Sequence, residues 1–186
     1  MEKKKRQRIK DGAIVKIKIT DDRMVFARLM VGKIAVYDFV TMQSNPLPEA
    51  DTIIGNPVVF YCSVYNDVIT KGVFEIIGFK ALTRDEIDQV PPVFTQDLVN
   101  IDDCTISYHD GRQLKGTPED CIGLERLSIW EASAVTKRIE DHYDDKRNFY
   151  VELDKPILSK DDPRYLPPPK ALRWDFDKGE FYRTDK

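Results

Sequence analysis

From Ala13 to Thr20 apolar and polar side chains alternate: Ala13, Val15, Ile17 and Ile19 share one side, Lys16, Lys18 and Thr20 the other, and Ile14 alone breaks the rule. A period of two is the mark of a strand with one buried face. Asp21-Asp22-Arg23 reads as a turn, Met24 to Val31 as a second strand, and Gly32-Lys33 as a tight two-residue turn. Ile34 to Val40, rich in β-branched and aromatic residues, follows as a third strand, which makes an antiparallel meander. Asn45-Pro46, Pro48, Gly55 and Asn56-Pro57 mark residues 41–57 as a long loop. Val58 to Tyr65 and Val73 to Lys80 read as two more strands, linked around Asn66 to Gly72. Past Pro91-Pro92, short extended pieces are expected at Val93-Phe94 and Thr105 to Tyr108, with Asp110-Gly111 as a hairpin turn. Strands that follow one another without helices between them do not build a parallel sheet. The expected fold class is therefore α+β, mostly β: a strongly curved antiparallel sheet or small barrel.

Helical signals come late. Thr117-Pro118-Glu119-Asp120 has a hydroxyl cap, a proline at the first helical position and acids over the positive end of the dipole, and Gly123 ends that turn. From Trp130 to Asp144, Trp130, Ala134, Val135, Ile139 and His142-Tyr143 recur at helical spacing, with Glu131, Lys137, Arg138, Glu140 and Asp141 on the other face. This predicts one amphipathic helix in the C-terminal half that covers the sheet. Ser128-Ile129-Trp130-Glu131 matches a capping box at its start. Asn148 to Leu153 is compatible with a strand, and Pro156, Pro163 and Pro167-Pro168-Pro169 keep the remainder extended. Trp174, Phe176, Phe181 and Tyr182 are expected to dock on the domain or on a partner. The chain thus divides into a basic flexible tail (1–10), one mostly-β domain (11–147), and a proline- and aromatic-rich extension packed on it (148–186).

Composition adds two limits. With 186 residues, 41% of them apolar, the chain is long enough for one domain with its own core. No apolar run approaches the ~20 residues of a membrane span, and the basic start from Lys3 to Arg8 has no apolar stretch after it, so neither a membrane anchor nor a signal peptide is expected. Cys62, Cys104 and Cys121 form an odd, widely spaced set without a Cys-x-x-Cys pair, which suits reduced thiols and a cytoplasmic address.

Charge is more informative by segment than in its net value of −3. Lys3, Lys4, Lys5, Arg6, Arg8 and Lys10 outnumber Glu2 at the start. Residues 85–110 carry Asp85, Glu86, Asp88, Asp97, Asp102, Asp103 and Asp110 with no Lys or Arg. An acidic face of this kind is either a solvated surface or a face kept acidic to receive a basic partner. It does not read as paired-carboxylate chemistry, since Asp102 and Asp103, adjacent on a strand, would point to opposite sides.

No Gly-rich phosphate loop, Gly-x-Ser-x-Gly elbow or His-Glu-x-x-His motif occurs. A metal site or a Cys-His nucleophile pair would have to be drawn from Cys104, His109, Cys121 and His142. Their spacing matches no zinc pattern, and the cysteines read more simply as small buried hydrophobes. No catalytic residue, metal or cofactor is expected. Tyr37-Asp38-Phe39, Asn56-Pro57-Val58-Val59-Phe60, Gly123-Leu124-Glu125 and Trp130 read as turn, cap and packing positions.

Several of these same residues carry a family resemblance. In order they are Asp11-Gly12 opening a strand, Phe26-Ala27-Arg28, Ile34-Ala35-Val36-Tyr37-Asp38-Phe39, Pro57-Val58-Val59-Phe60, Gly78, Gly123-Leu124-Glu125 and a helix led by Trp130. Over residues 9–145 the chain resembles the immunity protein 26 family of bacterial polymorphic toxin systems. The resemblance implies a mostly-β cytoplasmic antidote, without enzymatic activity, that binds and blocks a cognate toxin. The family carries no catalytic residues to transfer. The acidic segment would suit a basic toxin such as a nuclease, with Asp85, Glu86, Asp88, Asp102, Asp103 and Asp110 as partner-binding residues. A monomer or weak homo-oligomer is expected, without membrane or nucleic-acid partners. Two other readings stay open: a small-barrel nucleic-acid-binding module using the basic tail, against which the pI of about 5.5 counts, and an uncharacterised hydrolase.

Overall fold

The computed structural model describes residues 6–162, 164–165, 171–175 and 180–184. The alternating segments become β1 (Ala13–Lys18), β2 (Arg23–Met30) and β3 (Lys33–Met42), and β4 (Val58–Val64) and β5 (Glu75–Phe79) follow. The chain then forms β6 (Val93–Gln96), β7 (Cys104–Ser107), β8 (Gln113–Gly116), β9 (Glu125–Arg126) and β10 (Ile129–Trp130). One six-stranded sheet has the order β10-β4-β3-β2-β1-β5, antiparallel except where β10 joins β4, and curls into a half-barrel. A second sheet has the order β8-β7-β6-β9. A separate hairpin pairs β11 (Ala171–Asp175) with β12 (Glu180–Thr184). The α+β, mostly-β expectation holds.

The curl has a local cause. The register shifts between Ile14 and Val15 where β1 meets β5, between Val25 and Ala27 where β2 meets β3, and between Val36 and Tyr37 where β3 meets β4, while the β1–β2 pairing between them stays regular. Each inserted residue bends its strand and adds twist. Both faces of the sheet are then covered. Val15, Ile17, Val25, Ala27, Leu29, Ile34 and Val36 pack on one side, while Ile14, Met24, Phe26, Tyr37 and Ile53 pack on the other. Ile14 therefore breaks the alternation because its own side is also core.

The Asp11-Gly12 pair has a definite task. Gly12 sits at φ +89°, and a Cβ there would strike the carbonyl of Lys80. That close approach brings β5 onto β1, with Lys80 N–H donating to Gly12 O at 2.9 Å. Asp11 Oδ1 accepts from the backbone of Val31, which is itself held at φ +47° in the β2–β3 turn.

Helices arrive earlier than the chain pattern suggests. The segments read as a loop and a link contain α1 (Ala50–Ile54) and α2 (Asn66–Thr70), and Asp85, Glu86 and Asp88, compatible with a loop or a helical turn, lie on α3 (Arg84–Asp88), each a single five-residue turn or slightly more. Such pieces are too short to show a helical period. The long amphipathic helix is present as α4 (Ala132–Tyr143), with Val135 and Ile139 in the core. Its start differs from expectation. Ile129-Trp130 is a strand against β4, Glu131 holds the cap position, and Ser128 Oγ instead accepts from Trp130 Nε1 at 2.9 Å and donates to Asp154 at 2.7 Å. The stretch compatible with a strand, Asn148 to Leu153, is helix α5 (Phe149–Asp154), because the Asn148 side chain caps it by accepting from Val151 N–H.

Tethers reach both ends of the described core. Gln7 donates to the carbonyls of Ile69 and Phe74 and accepts from Ile76 N–H, so its amide completes the α2–β5 connection. Gln96, buried on β6, holds Ile101 O and both polar contacts to Ile157. Phe176 and the proline run at 167–169 lie outside the described residues, as do the side chains of Trp174, Phe181 and Tyr182.

Candidate functional site

The acidic segment folds into α3 and the β6–β7–β8 sheet, and topology separates its carboxylates. Asp97, Asp102 and Asp103 lie in the loop between β6 and β7. Asp110 lies in the turn between β7 and β8, at the other end of four-residue strands that span about 13 Å. Asp85, Glu86 and Asp88 sit on α3, ahead of the end of β6 that faces the Asp110 turn.

Most of these acids already have partners. Glu86 Oε1 takes Arg28 at 2.6 Å, and Glu86 Oε2 closes the capping box of α3 by accepting from Thr83 N–H at 2.7 Å. Hydrogen bonding from Arg28 holds the Glu86 carboxyl below its usual range. Asp88 pairs with Arg84, Asp103 with Lys115, and Asp110 with Arg112. Backbone N–H groups of Asn100 and Val99 cap Asp97 and depress its carboxyl. Asp85 and Asp102 are exposed. Among the described residues neither has an ion-pair partner.

Arg28 is the side chain the sequence reading left as part of a motif. It is fully buried on β2, donates to Glu86 and to the carbonyls of Lys80 and Ala81 at 2.9 Å, and keeps its Nε without a partner. A charge this deep is tolerated only when its partners are in place. It pins α3 to the sheet and so fixes where Asp85 and Asp88 stand.

The remaining motif residues prove to be joints. Asp38 accepts from Tyr143 Oη at 3.1 Å and ties β3 to α4; burial, then the bond to Asp38, pushes the Tyr143 hydroxyl up. Glu125 on β9 receives both terminal nitrogens of Arg138 at 2.6 and 3.0 Å, and Arg138 lies over Phe60 at 3.8 Å and near Trp130 at 5.1 Å. That bidentate, stacked arginine joins the two sheets through α4. Cys104 and Cys121 meet in a small buried cluster with Phe94 and Ile106, and burial pushes the Cys104 and Cys62 thiols up to about 12. His142 is exposed on α4 and is no part of that cluster.

One surface escaped the sequence reading. Around Glu131, at the start of α4, two clefts of about 450 and 220 Å³ lie side by side, both bordered by Glu131. Tyr65 and Val73 line the first, and Ile129, Tyr150 and Leu153 the second. A further cleft, of about 580 Å³, runs between Ile122 and Leu158.

The chain belongs to the immunity protein 26 family, whose model matches residues 10–105. The match ends within β7, so Gly123-Leu124-Glu125 and the Trp130 helix lie beyond it. No curated protein and no solved structure matches the chain. Among the described residues no helix is long and apolar enough to cross a membrane.

Proposed function

We propose that this chain is the antidote to a cognate bacterial toxin of the polymorphic type, and that it acts by binding the toxin and occluding its active site. Membership of the immunity protein 26 family carries the reading. The protein works in the bacterial cytoplasm as a monomer or weak homo-oligomer, by contact and not by turnover. The inward-facing ionisable groups support this, because buried Arg28 and half-buried Glu125 and Arg138 are committed to holding elements together, and the thiols at Cys62 and Cys104 stay protonated at neutral pH.

The electrostatic part of the footprint draws on Asp85, Asp88, Asp102, Asp103 and Asp110, all exposed. Their surface ion pairs contribute little to stability and can be exchanged for a toxin's Lys or Arg. Glu86 takes part through its position on α3 and not by contact, since its carboxylate is engaged by Arg28. The test is calorimetry of the full chain against the toxin domain encoded beside its gene, at two salt concentrations, with growth rescue on co-expression. Nanomolar binding that weakens with salt, together with rescue, is expected. Binding without salt dependence would remove the acidic footprint, and absence of both binding and rescue would remove the antidote.

A further inference from the structure

We infer that the apolar strip around Glu131 is the seat of the toxin's main contact, an apolar segment of the toxin that carries a Lys or Arg; this rests on the antidote reading above. Tyr65, Val73, Ile129, Tyr150 and Leu153 are each 45–57% exposed. Single exposed apolar residues are ordinary, but these line two adjoining clefts that share a wall at Glu131.

The local structure explains why the strip is uncovered. On β10 Trp130 points into the core and Ile129 points out, where a solvated strand would carry a polar residue. Helix α5 turns Phe149, Tyr150 and Leu153 outward and buries none of its residues. Tyr150 stands edge-on to Trp130 at 6.0 Å between centroids, and Phe149 edge-on to Tyr150 at 5.6 Å. An aromatic ladder therefore leads from the core to solvent. Aromatic anchors backed by rigid packing are what a binding centre is built from.

Charge selects the occupant. The walls of the two clefts carry Asp67, Glu131 and Asp154, and no Lys or Arg. Asp67 is paired with Lys71 and Asp154 is held by Ser128, whereas Glu131 has no ion-pair partner among the described residues. The basic side chains beyond Phe149 are engaged, Lys137 with Asp141, Lys146 with Asp144 and Arg147 with Glu152. The strip thus offers apolar contact around one carboxylate without an ion-pair partner among the described residues, the complement of an apolar segment with a single cation.

The test uses the full chain and the toxin domain encoded beside its gene. Ile129→Ser/Tyr150→Ala is expected to weaken binding roughly 100-fold, and Glu131→Lys about 10-fold, each variant still unfolding cooperatively at a somewhat lower temperature, since one loses the Trp130 ring contact and the other sets a cation at the positive end of α4. Should the double variant not fold, Tyr65→Ala and Glu131→Lys decide alone. Wild-type binding with all variants within about two-fold of it would overturn the inference and leave the antidote reading standing. Wild-type chain that neither binds the toxin nor rescues growth would end both. A change in sedimentation with toxin affinity intact would assign the strip to a second copy of this chain.

Discussion

Arg28 on β2 and Glu86 on α3 are joined at 2.6 Å across 58 positions of sequence, the arginine wholly out of solvent and the glutamate half-buried. The two sides of this pair are unequal. Glu86→Ala leaves a buried guanidinium with carbonyl partners alone and is expected to cost about 3–5 kcal/mol. Arg28→Met removes the buried charge and lets Glu86 turn to water, so it is expected to cost less. Urea unfolding of the two variants checks the order, and a larger loss for Arg28→Met would refute it.

The same pair sets a pH limb. Hydrogen bonding from Arg28 lowers the Glu86 carboxyl below its ordinary 4.5. A carboxyl depressed by folding contributes stability that is complete above its unfolded value and lost as pH falls through the folded one. Glu152 and Asp162, brought to about 2 by Lys155 and Arg164, act in the same direction. The unfolding temperature is expected to fall below pH ~4.5, and less steeply in Glu86→Gln. Parallel acid limbs in wild type and Glu86→Gln would show that the pair does not titrate as described.

Two glycines at positive φ should respond differently to a methyl group. Gly12→Ala meets the Lys80 carbonyl as well as an unfavourable φ, whereas at Gly32 a Cβ meets nothing within 4 Å. We expect a loss of about 3 kcal/mol at Gly12 and about 1 kcal/mol at Gly32. Equal losses by chemical denaturation would mean that conformation alone, and not the β1–β5 approach, makes Gly12 necessary.

Arg138 holds its place by shape as well as charge. Lysine in its place keeps the charge but gives up the two-pronged bond to Glu125 and the stacking on Phe60. Arg138→Lys is expected to cost about 2 kcal/mol, with a coupling of more than about 1 kcal/mol to Glu125→Gln in a double-mutant cycle. Additive losses would show that the stacking, and not the ion pair, carries the joint.

All three cysteines are buried, and burial raises their thiols, to about 12 for Cys62 and Cys104. Native protein at pH 8 is expected to leave an aromatic disulfide reagent unreacted over minutes, and denatured protein to react at all three sites. Rapid reaction of one thiol in the native state would place it at an opening that the packing around Phe94 does not provide.

The meander was legible because its turns are short and its register is set by alternation; the second sheet was legible only as fragments, because its strands have four residues or fewer. Local signals did exist for some of what was missed. Thr83 and Glu86 spell a capping box, and Asn148 three residues before Val151 is a cap. The first leaves loop and helical turn as alternatives for Asp85 to Asp88, and the second is outweighed by the β-prone Phe149-Tyr150-Val151. Ser128 shows the reverse error, a capping motif that tertiary pairing with β4 overrides. What the chain order hides is partnership. Nothing near Glu86 in sequence announces Arg28, and nothing near Ile129 announces Tyr65.

The two edges of the large sheet belong to different moments of synthesis. β5 can close on β1 once Phe79 is free of the ribosome, but β4 receives its neighbour only when Ile129-Trp130 follows, fifty residues on. At about 5–20 residues per second the nascent chain therefore waits roughly 3–10 s with one apolar strand open. A cell that makes this protein in bulk has to keep that strand from finding the same strand on the neighbouring ribosome.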